Sequence, residues 1–161
     1  MGTEWRRDDG VGLAVARRVS ELKPPDSSAG CRVVAPLADP LDLLGYWEGA
    51  ALAVVVDATR SDLVPGTISQ IEMGGSEPQE GTCREGHHEP VLGRSSTHGI
   101  GLVGALRLAR AVNQAPVRTV VVGVEGEDFG QGAGLSPPVA ASVDKAANCV
   151  LELVEEASKC A

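Results

Sequence analysis

Aromatic residues are nearly missing from this chain: Trp5, Tyr46, Trp47 and Phe129 are all it has in 161 residues. A core with so few rings has to be built from Val, Leu and Ala. Long apolar runs are missing as well. A stretch such as AALAVVVDA (50–58) falls far short of the roughly 20 residues a helix needs to cross a bilayer. The N-terminal residues are charged where a signal peptide would need an apolar segment. Positive charge is in deficit, with a net charge of −8. That excludes the basic footprint nucleic acid requires, and no basic amphipathic stretch suggests a membrane surface. The four cysteines, Cys31, Cys83, Cys149 and Cys160, form no Cys-x-x-Cys pair. They read as free thiols of a reducing compartment, and a cytoplasmic location is expected. A Gly-x-Ser-x-Gly nucleophile elbow is absent, and nothing marks a cysteine as activated.

What is present has the composition of a globular domain: 43% apolar and 22% charged residues, with 20 glycines suited to tight turns. Residues 1–161 are read as a single domain. In residues 10–22, Val11, Val15, Val19 and Leu22 recur at helical spacing, and Lys23-Pro24-Pro25 ends the helix. CRVVAP (31–36) reads as a short strand, and PLDLLGYWEG (40–49) as a short helix with Pro40 near its start. LAVVVDA (52–58) is continuously apolar, the pattern of a strand buried on both faces. GTISQIE (66–72) alternates, as a half-exposed strand does. Residues 73–97 are polar and loop-like, and long for a compact domain. A helix over 100–113, a second buried strand at RTVVVGVEG (118–126) and a last helix over 137–158 follow. Ser136 is placed to cap that last helix and Pro137 to open it. Strands and helices alternate, which predicts an α/β domain with a mainly parallel sheet and helices on both faces.

In open α/β sheets, ligands bind where strands end at their carboxyl edge. Asp57 closes an apolar strand, Asp9 opens a helix, and His98 precedes another. A carboxylate closing a buried strand must be solvated, paired or ligated, although Asp57 could also simply start a turn. Asp9 could cap its helix while Asp8 complements the helix dipole. The nucleotide reading of Gly10-Val11-Gly12 fails, because Val15 stands where a third Gly or Ala is required. His98 could simply be a capping-loop residue, as a lone histidine more often is; at a helix N-terminus it is biased towards the neutral imidazole, which is the form that ligates metals. Two carboxylates and an imidazole make a mixed nitrogen and oxygen set suited to a borderline divalent metal such as nickel, zinc or iron. Cys83, His87 and His88 in CREGHHEP lack the paired spacing of a structural zinc site and are read as incidental.

Four segments, in order, carry a resemblance. GTEWRRDDGVGLAVA resembles a Gly-Asn turn followed by Asp-Asp/Glu and Gly-x-Gly. VVVDATRSDLVPGTI resembles a strand ending in Asp and followed by Pro-Gly-Thr. SSTHGIGLVGAL resembles Ser-x-His-x-x-Gly-Leu, and the stretch to GAGLSPPV resembles a closing Gly-x-Gly-Leu-Ser-Pro. The set resembles the hydrogenase maturation proteases, which trim the large subunit of NiFe hydrogenases. The resemblance implies a three-layer α/β/α sandwich with a mainly parallel twisted sheet. It implies that Asp9, Asp57 and His98 are the metal-contacting and catalytic residues. The substrate would be a nickel-loaded hydrogenase large-subunit precursor. The enzyme would remove its C-terminal peptide beyond the last cysteine motif that holds the metal. The nickel would be carried by the precursor. A non-catalytic, nickel-recognising maturation chaperone using the same residues is the alternative.

Two departures from the family pattern stand out. APLADPLDLLG has no Gly-Gly-Thr-type turn, with Asp39 as the acid nearby. The family also has an apolar strand directly ahead of its first motif, where this sequence has only Met1-Gly2-Thr3. An upstream start is therefore expected, and the intact mass of the native protein would test it.

Overall fold

The structure is a computed structural model that describes residues 2–22, 30–37, 39–73 and 101–159. A 3-10 turn, Arg7–Gly10, runs directly into helix α1, Val11–Leu22. A second 3-10 turn, Pro40–Leu43, leads into the short helix α2, Leu44–Trp47. Strands β1 (Leu52–Thr59) and β2 (Ile68–Glu72) follow, then α3 (Leu102–Ala111), β3 (Arg118–Glu125) and α4 (Pro137–Lys159).

Among the described residues the three strands form one sheet in the order β1-β3-β2. β1 and β3 are parallel, with Val54 opposite Val120, Asp57 opposite Gly123 and Thr59 opposite Glu125. β2 is antiparallel to β3. Strand formation, though not the choice of partner, follows from the sequence: β-branched runs favour the pleated, packed surface, and the alternation in β2 suits a strand with one wet face.

Period-two alternation divides the sheet residues between two layers. Val120, Val122 and Val124 of β3, with Leu52, Val54, Val56 and Ala58 of β1, pack against α1 and α4. From the helices come Val11, Val15 and Val19, and Val139, Ala146, Ala147, Val150 and Leu153. Each Val buried here contributes about 1.5–3 kcal/mol relative to exposure. The opposite face carries a smaller cluster: Leu43, Trp47, Ala105, Leu106 and Ala109, with Ala53 of β1 packed against it. Helices thus cover both faces, which is the expected three-layer α/β/α arrangement around a mixed sheet.

Two readings of the sequence are corrected. Cys31–Leu37 forms no strand, and Val33 is 42% exposed. No described strand lies beside it to take up its backbone groups, and an unpaired apolar segment does not become a strand by propensity alone. β1 is also not buried on both faces. It is an edge of the described sheet, with only Val55 and Thr59 buried, whereas β3 at the centre is buried along almost its whole length. The long polar segment read over 73–97 lies almost wholly outside the described residues.

Asp39 caps the turn that Pro40 opens, its Oδ1 accepting from the Leu41 amide at 2.9 Å. Gly66 is fixed by close packing as well as by conformation. Its φ is +82°, and a Cβ there would lie 2.6 Å from the carbonyl oxygen of Pro138. Gly49 has a φ of +72° but open space around it. Gly49→Ala is therefore expected to cost about 1 kcal/mol of backbone strain, and Gly66→Ala about 2 kcal/mol or more. Urea midpoints measure both, and equal losses would disprove the packing argument at Gly66.

Candidate functional site

Asp57 sits near the carboxyl end of β1, on the opposite side of the strand from the residues that pack against α1 and α4. One of its carboxylate oxygens accepts from the Ala58 amide at 3.1 Å. Burial pushes the Asp57 carboxyl above the ordinary 3.8, and the charge of Asp9 pushes it the same way. The two acids, 48 positions apart in sequence, are therefore close enough in space to feel each other.

Asp9 lies in the 3-10 turn ahead of α1, with one carboxylate oxygen accepting from the Thr3 amide at 2.8 Å. Gly2 lets the chain pass against it: a Cβ at Gly2, where φ is +97°, would overlap the Asp9 carbonyl oxygen. Neither Asp8 nor Asp9 caps a helix through its side chain. The capping reading is replaced by two different environments: the Asp9 carboxylate is half-buried and held by Thr3, and that of Asp8 is fully buried.

Asp8 is fully buried. Its Oδ2 accepts from the amides of Glu127 (3.0 Å) and Asp128 (2.9 Å) and from the Ser136 hydroxyl (2.9 Å). Its Oδ1 accepts from the Ser136 amide at 2.7 Å. Burial alone would raise the pKa of Asp8, but these four donors favour the ionised form and hold it below the ordinary 3.8. The Ser136 hydroxyl thus serves Asp8, while its carbonyl accepts from Ala140 in the first turn of α4.

A second buried carboxylate, Glu125, was not singled out in the sequence. Its side chain accepts from the Thr59 hydroxyl (2.9 Å), the Ser61 amide (2.6 Å) and the Ser61 hydroxyl (2.7 Å). The available signal was an acid closing an apolar strand, the same signal that marked Asp57.

Beside the Asp9 turn a groove is lined by Trp5, Arg6, Phe129, Gly130, Gln131 and Gly132. Trp5 is 69% exposed. The Arg60 guanidinium stacks over Phe129 at 5.4 Å, joining the exit of β1 to this groove.

Two like charges held together in partly desolvated surroundings can take up a divalent cation or share a proton. Among the described residues no three His, Cys, Asp or Glu side chains gather to hold a metal ion. His98 lies outside the described residues, as do Cys83, His87, His88 and Cys160. Cys149 is half-buried, its thiol pushed up by burial, so it is a poor nucleophile. Cys31 and Cys149 are free thiols. No helix among the described residues is long and apolar enough to cross a membrane.

A family model described as hydrogenase maturation protease (HycI) matches residues 33–153. Over 154 residues the chain is 25% identical to a protein of Methanocaldococcus jannaschii provisionally named a hydrogenase maturation protease, covering 89% of this chain and 86% of that one. The fold is similar to the hydrogenase maturating endopeptidase HybD from Escherichia coli, with a TM-score of 0.72 at 22% identity over 96% of this chain and 88% of that one. It is also similar to the NiFe hydrogenase maturation protease HybD from Thermococcus kodakarensis, with a TM-score of 0.66 at 24% identity over 94% and 93% of the two chains. The structural likenesses bear on the fold, and the family match decides membership. This chain belongs to the hydrogenase maturation protease family.

Proposed function

We propose that this protein is the endopeptidase that removes the C-terminal extension of a nickel-loaded NiFe hydrogenase large-subunit precursor, reading the bound nickel through Asp9, Asp57 and His98. The observation that carries the reading is that the turn bearing Asp9 packs against β1, so that its charge reaches Asp57 near the carboxyl end of a parallel strand pair, in a chain of this family. Two acids that repel each other gain most from a divalent cation brought in by the substrate. A precursor without nickel offers no such gain, so binding energy is realised only with the loaded protein.

Nickel held between the precursor and these side chains polarises the scissile carbonyl or lowers the pKa of a water. Water adds to the carbonyl carbon, the carbon–nitrogen bond breaks, and the proton goes to the leaving amine. A carboxylate with a raised pKa is suited to carrying that proton. The groove with exposed Trp5 gives an extended peptide a place to lie beside the acids.

Intact-mass measurement tests this directly. After incubation with this protein, the nickel-loaded precursor is expected to lose a C-terminal peptide, and the nickel-free precursor to stay whole. Cleavage of both would remove the nickel checkpoint, and cleavage of neither would overturn the protease reading.

A further inference from the structure

Residues 125–128 grip both acid-bearing segments at once. On one side the Glu125 side chain holds Thr59 and Ser61, immediately beyond Asp57. The backbone reinforces that grip: the Gly126 amide donates to the Thr59 carbonyl at 3.0 Å, and the Gly66 amide to the Glu125 carbonyl at 2.8 Å. On the other side the amides of Glu127 and Asp128 hold Asp8, immediately before Asp9. The Asp8 amide returns a bond to the Asp128 carbonyl at 3.0 Å, and Arg7 pairs with Asp128 at 3.2 Å. Gly126, between the two grips, has no room for a side chain: a Cβ would lie 2.6 Å from the Phe129 ring and 3.1 Å from the Asp8 Cβ.

Glu125 and Asp8 are exposed by only 2% and 0%. A carboxylate removed from water is tolerated only when donors replace the water. Here the donors come from the very segments whose positions set the site. Neither side chain has surface left with which to touch a substrate.

We infer that Glu125 and Asp8 are positioning residues that fix the separation of Asp57 and Asp9 through the shared 125–128 segment, before any substrate arrives. The inference rests on the reading of Asp9 and Asp57 as the substrate-contacting acids. Prior ordering of this kind removes an entropic and geometric barrier from the chemical step, where a displacement of about 1 Å can cost a hundredfold. Neither side chain lines the groove beside Trp5 and Phe129, so Asp8 and Glu125 act on turnover more than on docking of the precursor.

Glu125→Gln and Ser136→Ala test this with little risk to folding. The first keeps the shape, and the second removes one of four donors to Asp8. Each is expected to lower kcat about tenfold with KM unchanged. A readout independent of activity comes from amide hydrogen exchange. The Thr3 amide reports on Asp9 and the Ala58 amide on Asp57, because each donates to that carboxylate. Ser136→Ala is expected to speed exchange at Thr3, and Glu125→Gln at Ala58, each about fivefold or more, while core amides such as Val122 are unchanged. Proportional loss of protection at every amide, or an unchanged kcat with unchanged reporters, would overturn the inference. If the wild-type chain leaves the loaded precursor uncut, the proposed function fails, and the two reporters alone decide the positioning role.

Discussion

Asp57→Asn is expected to lower kcat/KM on the nickel-loaded precursor by about 100-fold or more while leaving the protein at least as stable as wild type. The two effects have one cause. Burial and the neighbouring Asp9 charge raise the pKa of Asp57, so the fold disfavours the ionised carboxylate. The folded state therefore holds this proton more tightly than the unfolded chain does. Its stabilising contribution is complete below the unfolded value of 3.8 and disappears as pH rises through the raised folded value. At neutral pH the charge is a net cost. Asparagine keeps the shape and removes that cost, together with the charge that would meet the metal. If Asp57 has the proposed role, function and stability are opposed at this residue. Single-turnover cleavage followed by mass, with urea midpoints at pH 5 and pH 7, measures both. Wild-type cleavage by the variant, or a large fall in its midpoint, would refute the assignment.

Asp8→Asn should do the reverse, destabilising the protein by about 3 kcal/mol or more. An amide nitrogen in place of Oδ2 would face the amides of Glu127 and Asp128, two donors with nothing to accept them. Flipping the amide sets it against the Ser136 amide instead. Ser136→Ala, which removes one neutral donor from the cluster, should cost only about 1 kcal/mol. The pH dependence also runs opposite to that of Asp57. The pKa of Asp8 is lowered on folding, so its stabilisation is present above 3.8 and is lost as pH falls through the lowered value. Wild-type protein is expected to lose stability on the acid side, and Asp8→Asn to show a shallower acid limb. Urea titrations between pH 2 and pH 7 distinguish the two. A variant as stable as wild type at pH 7 would show that the four hydrogen bonds carry no net energy.

The helices were legible because their signal is local. Val11, Val15 and Val19 repeat at four-residue spacing, and that spacing alone sets the face α1 buries. α4 begins at Pro137 as the sequence predicts, because proline lacks the amide a helix start leaves unpaired. The alternation in β2 likewise announced a strand with one wet face. Strand pairing was not legible. LAVVVDA reads as a strand buried on both faces and CRVVAP as a strand, yet one lies half-buried at an edge of the described sheet and the other pairs with nothing described. A strand depends on a neighbour supplied from elsewhere in the chain, and apolar composition does not name that neighbour.

The acids divide in the same way. That Asp9 and Asp57 stand at element ends, that the core is aliphatic and that the chain is acidic could all be read along the chain. Family membership was also readable, because its motifs lie along the chain in order. The fold alone separates Asp8, buried among four donors, from Asp9, which stays half-exposed with its charge felt at Asp57, although the two residues are identical and adjacent. It also decided that Glu125 serves as a buried anchor. The physical reason is that a carboxylate's role is set by the donors around it. Asp8 and Glu125 are surrounded by amides and hydroxyls from sequence-distant loops, while the pKa of Asp57 is raised by burial and another acid. Those neighbours come together only when residues 125–128, at the end of β3, reach both the exit of β1 and the turn ahead of α1.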